Sequence, residues 1–420
     1  MNITALGEPR IKSPKKYFVN DNHKLPYFII EGKEIPAEDD LFFELAGPRE
    51  KIFFDPGSTR VGIVTCGGLC PGLNDVIRSL FLELHYAYGV KEVYGFRGGY
   101  RGLDPELGEE PLLLTPKLVD KIHKDGGTML GTSRGPVDTG LAVENLVKRG
   151  INILFTVGGD GTQRGGNALF LEAKKLGYPL SVVGIPKTID NDVAFVSRTF
   201  GYGTAVEEAA KVLDRAHTEA RSVKNGISLV KLMGRHAGFI TVGATVASQD
   251  VNFILVPEVP FKLEGPNGFL AVLKERILDR AHAVIAVAEG AGQDLLKDPG
   301  NERDASGNLK IMDIGLFLRD RIEKHFREEG IPIIMRYFDP NYLVRSSRAN
   351  ANDSVLCDLF ARNAVHAAMA GKTGLVIGFL HNQFIHVPIE MLTSRKKTMD
   401  LKGIGWNAAL ATTGQPEKFE

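Results

Sequence analysis

An α/β fold with mainly parallel sheets, divided between two domains, is predicted by three features of the sequence. The first is the texture of its strands. Ile151, Ile153, Leu154, Phe155 and Val157 form an apolar run with scarcely any polar alternation, as in a strand covered on both faces of a sheet. The second is repetition: from Val61 onward such runs end in glycine-rich turns, and stretches with apolar residues at helical spacing follow them. The third is length, because 420 residues exceed what one hydrophobic core organises and suffice to bury two.

Composition excludes several classes of function. Lys and Arg number 51 against 51 Asp and Glu, so no nucleic-acid surface is expected and any basic site is local, built for a small anion. The three cysteines, Cys66, Cys70 and Cys357, make no disulfide framework, and Cys66-x3-Cys70 lacks the second pair a zinc site needs. A reduced, cytoplasmic setting is expected. No segment approaches the roughly 18 apolar residues of a membrane helix, and the first residues carry no continuous apolar run of the exported kind, so neither membrane nor export is expected.

Residues 1–57, punctuated by prolines and by the acidic Glu38-Asp39-Asp40, read as an N-terminal arm wrapped on the body or on a neighbouring subunit. VGIVTC from Val61 reads as a strand, and GGLCPGLN after it places Gly67-Gly68 where open α/β sheets hold ligands. Asn74 is expected to cap a helix whose buried stripe is Val76, Ile77, Leu80, Phe81 and Leu84. The loop does not spell G-x-G-x-x-G, which disfavours a dinucleotide-binding dehydrogenase. A helix is expected near Lys117–Lys124, and GGTMLGTSRGP then sets Arg134 and Gly135 in a glycine-rich loop, where backbone and guanidinium can reach the same oxygens.

The run at 151–157 ends in Gly158-Gly159-Asp160-Gly161-Thr162. Glycines let backbone N–H groups approach phosphate, and Asp160 offers the hard oxygen that Mg²⁺ favours. A helix is expected over Gly166–Leu176, then a second buried strand, LSVVGIP, ending in Lys187-Thr188-Ile189-Asp190-Asn191-Asp192. Carboxylates beside a lysine at a strand mouth suit a general base with electrostatic supports. A helix over Gly203–Arg221 precedes another strand, which meets Met233-Gly234-Arg235. HAVIAVAEGAG ends in Glu289, suited to sugar hydroxyls. The polar stretch from Gln293 reads as an exposed loop. After a helix at Ile314–Glu328, Arg336, Tyr342 and Arg345 fall within ten residues and fit a dianionic phosphate. A helix Val355–Ala370, a strand LVIGFL and a polar tail containing Trp406 close the chain.

Taken in this order, GGDGT, PKTIDND and MGR make the chain resemble the 6-phosphofructokinase family from about Val61 to Arg395, and AGPREKIFF with TCGGLCPGLND resembles its long ATP-dependent branch, found in plants and trypanosomatids. The resemblance implies two Rossmann-like three-layer domains with an active-site cleft between them: 58–201 plus 344–393 binding ATP, and 202–343 plus 394–420 binding sugar phosphate. It implies that Gly68, Arg134, Gly135 and Gly159–Thr162 hold the ATP phosphates and that Asp160 binds Mg²⁺. It also makes Asp190 the base for the 1-hydroxyl of fructose 6-phosphate. Thr188 and Ile189 line that pocket, and Met233, Gly234, Arg235, Glu289, Arg336, Tyr342 and Arg345 bind the sugar phosphate. Short bacterial members have histidine at the place of Tyr342 and an arginine at that of Gly226, so Lys187 or Lys231 is expected to supply the missing charge. Pyrophosphate-using relatives carry Asp where this chain has Gly161, which favours ATP as donor; Lys187, shared with those relatives, argues the other way. A pyrophosphate-dependent enzyme and a catalytically silent regulatory subunit are the alternatives, and a NAD or lipid kinase of the GGDGT type ranks last. Relatives form dimers or tetramers, so a homo-oligomer is expected.

Overall fold

A computed structural model describes residues 2–30, 40–135, 137–296, 302–303 and 311–420. Glu38, Asp39 and most of the loop expected after Gln293 lie outside the described residues. The chain divides into two compact units. The larger takes Met1–Thr188, Val193–Gly201 and Ser347–Lys396, and the smaller takes Ile189–Asp192, Tyr202–Ser346 and Lys397–Glu420.

In chain order the strands of the two main sheets begin with β1 (Lys24–Pro26), β2 (Phe42–Leu45), β3 (Arg60–Thr65), β4 (Glu92–Gly95), β5 (Leu112–Leu113), β6 (Ile153–Gly158) and β7 (Ser181–Pro186). They continue with β8 (Gly226–Leu232), β9 (Phe253–Leu255), β10 (His282–Ala288), β11 (Ile334–Phe338), β12 (Leu375–Leu380) and β13 (Gln383–Pro388). The helices that matter here are α1 (Leu73–Leu82), α2 (Thr139–Lys148), α3 (Asp160–Lys175), α4 (Tyr202–Arg221) and α5 (Phe239–Ser248). After them come α6 (Phe269–Arg280), α7 (Ile314–Glu328), α8 (Asn341–Ser346), α9 (Ala351–Met369) and α10 (Ile404–Thr413).

The larger sheet runs β1-β2-β13-β12-β7-β6-β3-β4-β5, with β12, β7, β6, β3 and β4 parallel and antiparallel strands at both flanks. Every residue of β6 and β7 is buried, as their unbroken apolar texture requires. One face packs Val64, Leu154 and Val182 against Ala142, Val143 and Leu146 of α2 and Leu169 and Ala173 of α3. On the other, α9 lies against β7 and β12 and against α1. The chain passes from β3 out to β4, then returns to the opposite side of β3 as β6. The order therefore reverses between β3 and β6, and at such a reversal the following loops part and leave a crevice at the carboxyl edge.

The smaller sheet is parallel throughout, in the order β9-β10-β8-β11. Ile227, Leu229, Ile285 and Val287 meet Phe269 and Leu273 of α6 and Ile314, Leu318 and Phe326 of α7. Its order reverses between β10 and β8.

Several local expectations are corrected. The GGDGT segment is no free loop ahead of a helix starting at Gly166: α3 begins at Asp160, and Gly161 and Thr162 lie in its first turn. Asn74 does not cap α1, whose N-cap is Gly72 at φ 102°. Its side-chain oxygen accepts from the Met129 N–H at 2.8 Å and its amide donates to the Asp125 carbonyl at 3.2 Å, so it ties down the loop that leads to Arg134. The helix expected near Lys117–Lys124 is one turn, Pro116–Val119, followed by a tight turn at Ile122–Lys124. The tail is not merely polar: α10 buries Trp406 and Ala409 against Val242, Ile254, Val256 and Met399. The N-terminal segment adds β1 and β2 to the larger sheet, and its Thr4–Ala5 and Ile11–Lys12 pair with Lys372–Thr373 and Lys51–Ile52. Among the described residues no helix is long and apolar enough to cross a membrane.

Candidate active site

Strand register brings three of the sequence motifs to one edge of the larger sheet. Thr65 pairs with Val157 and Gly158 with Pro186, so β3, β6 and β7 end within a residue of one another. Gly67, at φ 84°, accepts from Thr132 Oγ1 at 2.6 Å, and its N–H donates to the Ser133 carbonyl at 3.2 Å. Those two bonds bring Arg134 over the turn: a methyl group on Gly68 would stand 3.5 Å from its guanidinium, and one on Gly67 would stand 3.4 Å from Lys187 Nζ. Lys187 is buried and donates to the Gly68 carbonyl at 2.5 Å. It is thus anchored to the turn and is not a side chain free to swing aside. Gly68, Arg134, Lys187 and the first turn of α3 converge at the crevice between β3 and β6, with Gly135 following at φ 108°.

No side chain caps α3, so among the described residues its first N–H groups are not claimed by a capping side chain, the arrangement in which a helix start can receive an anion. A Cβ on Gly158 would overlap Thr162, which lets the helix start tight against the strand end. A Cβ on Gly161 meets nothing closer than Arg164 at 3.9 Å, so this position opens outward. Gln163, unremarked in the sequence, is fully buried; its amide donates to the Gly158 carbonyl at 2.9 Å and the Ile185 carbonyl at 3.2 Å. It fixes the spacing of the β6 and β7 ends, which carry Asp160 and Lys187. A glutamine one turn into a helix carries no signal of this in sequence alone.

Asp160 is half-buried, and among the described residues no group of three or more His, Cys, Asp or Glu side chains is gathered to hold a metal. One carboxylate is a donor set Mg²⁺ takes when substrate phosphates complete its shell.

The segment after β7 is strained. Thr188 accepts from Thr199 Oγ1 through its carbonyl at 2.8 Å, Ile189 is buried and Asp190 half-buried. Asn191 and Phe195 occupy the left-handed region at φ 57° and 59°. Such residues cost on the order of 1–2 kcal/mol each and persist only where surrounding contacts over-determine them. For Phe195 those contacts include the rings of Tyr27 at 5.3 Å and Phe43 at 5.1 Å.

In the smaller unit β8 and β10 end together, Leu232 beside Ala288. The turns after them are laced: the Glu289 N–H donates to the Leu232 carbonyl at 2.9 Å and the Gly290 N–H to the Gly234 carbonyl at 3.0 Å. Gly234 sits at φ 128°, and a Cβ there would stand 2.7 Å from the Ala237 carbonyl oxygen. Burial pushes the Glu289 carboxyl above the usual range, although Lys231, Arg235 and Arg345 draw it down. Those same influences put Arg235 and Arg345 in electrostatic range of Glu289, with Met233 half-buried beside them. Tyr342 is 72 % exposed and stacks on the Arg345 guanidinium, 4.4 Å from its ring centre.

Two expected residues stand apart from this group. Arg336 lies opposite Ser228, four residues short of the end of β8 or about 13 Å along the strand, and pairs with Glu219 at 3.5 Å. Lys231 is buried between Asp313 at 2.6 Å and Asp339 at 2.9 Å; burial opposes its charge, but the two carboxylates hold the ammonium above its ordinary value. Its charge is already matched, so Lys231 is not a spare cation for an incoming phosphate.

The phosphofructokinase family model matches residues 60–368. The ATP-dependent 6-phosphofructokinase of Borreliella burgdorferi is 44 % identical, covering 99 % of this chain and 96 % of that one. That of Trypanosoma cruzi is 48 % identical over 89 % of this chain and 77 % of its own, and ATP-dependent 6-phosphofructokinase 7 of Arabidopsis thaliana is 43 % identical over 97 % and 84 %. Among solved structures, a pyrophosphate-dependent phosphofructokinase from Marinobacter aquaeolei superposes with a TM-score of 0.70 at 21 % identity, covering 86 % of this chain and 93 % of that one, a likeness of fold. With two α/β units whose glycine turns gather at sheet reversals, and with relatives of this identity along nearly the whole chain, the protein belongs to the phosphofructokinase family.

Proposed function

We propose that the chain is an ATP-dependent 6-phosphofructokinase, transferring the γ-phosphoryl of ATP to the 1-hydroxyl of fructose 6-phosphate to give fructose 1,6-bisphosphate and ADP. The observation that carries the reading is the crevice between β3 and β6, where two glycines, an arginine, a lysine and an open helix end meet. The larger unit takes the nucleotide, and the smaller takes the sugar phosphate.

Phosphoryl transfer asks a protein for position and charge more than for covalent chemistry. Backbone N–H groups at Gly68 and Gly159–Thr162 hold phosphate oxygens, with Arg134, Gly135 and the anchored Lys187 beside them. Asp160 would hold Mg²⁺, which when bound neutralises charge on the phosphates. Asp190 accepts the proton of the 1-hydroxyl, with Thr188 and Ile189 shaping its pocket. Glu289 takes sugar hydroxyls; Met233, Gly234, Arg235, Tyr342 and Arg345 enclose the sugar and its phosphate. Arg336, remote from this group along its own strand, suits service to the site of a second copy, and we assign a homo-oligomer, dimer or tetramer, working in the cytoplasm.

ATP is favoured over pyrophosphate by the outward-facing Gly161, which leaves room for the α-phosphate and sets no carboxylate against it. Lys187 favours the other donor only if its side chain can move to meet it, and that side chain is anchored to the Gly68 carbonyl. A coupled assay with fructose 6-phosphate, Mg²⁺ and each donor in turn decides. Turnover with ATP is expected; turnover with pyrophosphate alone, or with neither, overturns the proposal.

A further inference from the structure

A short stretch near the C-terminus grips the segment that carries Asp190. Arg395-Lys396-Lys397 runs beside Asp192–Phe195. In the larger unit Val193 forms an isolated antiparallel bridge with Lys396, and the Arg395 guanidinium lies 5.7 Å from the Phe195 ring centre. In the smaller unit the Lys397 N–H donates to the Asp192 carbonyl at 3.2 Å, its side chain is attracted to the Asp192 carboxylate, and its ammonium stands 5.0 Å from the Phe239 ring centre.

We propose that Lys397 is a positioning residue for the reaction: through Asp192 it fixes the loop that presents Asp190. The inference rests on the reading of Asp190 as base. Two arguments separate it from ordinary packing. First, the gripped segment is bracketed by two residues in the left-handed region, Asn191 and Phe195, so the loop relies on outside contacts to keep its shape. With Asn191 as pivot, holding Asp192 sets the direction in which the Asp190 side chain leaves the backbone. Second, the charge is kept at a cost. Burial pulls the Lys397 ammonium down to about 8, against the attraction of Asp192, whereas an uncharged side chain of similar length would fill the space by Phe239 without that cost. A half-buried ammonium kept in such a place points to a carboxylate that must be held. Nothing in the sequence marks Lys397 out among Arg395, Lys396 and Lys397; only the pairing does.

The test uses the full chain with ATP, Mg²⁺ and fructose 6-phosphate, in the variants Lys397→Met, Lys397→Arg, Asp192→Asn, Asp190→Asn and the double variant of Asp190→Asn with Lys397→Met. Lys397→Met is expected to lower kcat about tenfold to a hundredfold, the scale of a misplaced catalytic group, with both KM values within about twofold. Its Tm stays close to that of the parent, and Lys397→Arg recovers most of kcat. Asp192→Asn reads the same link from its other end and shows a matching loss of kcat even if Lys397→Met folds poorly. The double variant is no slower than Asp190→Asn alone, because both changes act through one carboxylate. Unchanged kcat in Lys397→Met, or losses that multiply in the double variant, overturn the proposal. Were Asp190→Asn itself fully active, the base assignment would fail and this proposal with it; an inactive Asp190→Asn beside an undiminished Lys397→Met sinks the positioning role alone.

Discussion

At the carboxyl edge of the larger sheet, Arg134 and Lys187 stand over glycine backbone; at that of the smaller sheet, Lys231, Arg235 and Arg345 stand among Glu289, Asp313 and Asp339. Both edges use one device, a sheet reversal with a glycine turn at a strand end, yet their charge is arranged differently. Cations beside a helix start without a side-chain cap suit a ligand that brings several negative charges of its own, as a nucleotide's phosphates do. Cations interleaved with carboxylates suit a ligand that mixes hydroxyl donors with a single phosphate, because the carboxylate accepts from the hydroxyls while an arginine takes the phosphate. The difference teaches that the strand-and-turn scaffold sets where a ligand sits, and the side chains packed behind it set which ligand.

The largest effect is expected at the proposed base. Asp190→Asn is expected to lower kcat by about 10²–10⁴, the usual worth of a positioned base, while both KM values stay within a few-fold. Steady-state kinetics measure it, and an unchanged kcat removes Asp190 from that role. Next, Gly161→Asp puts a second carboxylate, beside Asp160, into the first turn of α3, where the proposed nucleotide phosphates would lie. Repulsion at short range is expected to cut kcat/KM for ATP about a hundredfold. An added Cβ meets nothing closer than Arg164 at 3.9 Å, and an acidic residue in the first turn of a helix is favourable, so Tm is not expected to fall. A loss of ATP use accompanied by a lower Tm would show damage to the fold instead.

Smaller effects sharpen the other side of the comparison. Glu289→Gln keeps the shape but loses the stronger acceptor, and KM for fructose 6-phosphate is expected to rise about tenfold with KM for ATP unmoved. The same variant is expected to be slightly more stable than its parent at neutral pH. The folded Glu289 carboxyl sits above its ordinary value of 4.5, so the unfolded chain ionises first as pH rises. Below that value both states are protonated and the two proteins match. As pH climbs toward the folded value the parent loses stability that the glutamine variant keeps, and the gap is constant above it. Thermal melts at pH 4 and pH 7.5 measure the gap; a variant less stable than its parent at the higher pH would mean that the carboxylate is paired by more than it is desolvated.

The parts of this protein legible in the sequence are those whose signal is local. β6 and β7 are apolar on both faces and are recognisable anywhere; α7 and β12 have the bounds their spacing implies, and α4 begins one residue earlier than expected. The glycine turns are legible for the same reason, since a positive φ or a close approach demands glycine at that residue and not elsewhere. The parts that stayed hidden depend on distant partners. β2 has four residues and joins the sheet only by meeting β13, where Glu44 and His386 lie side by side. Trp406 reads as a tail residue until α10 packs it beside Val242 and Ile254.

By itself, the sequence determined the α/β class, the strand ends that carry chemistry and the residue types placed on them, because periodicity and glycine requirements act within a few residues of chain. Only the tertiary structure decided that Lys231 lies between two carboxylates and Lys187 against a backbone carbonyl, how Gln163 and Lys397 hold the turns, and why Arg336 lies away from its neighbours in sequence. Those outcomes depend on register between strands and on contacts made across hundreds of residues, which no local pattern encodes.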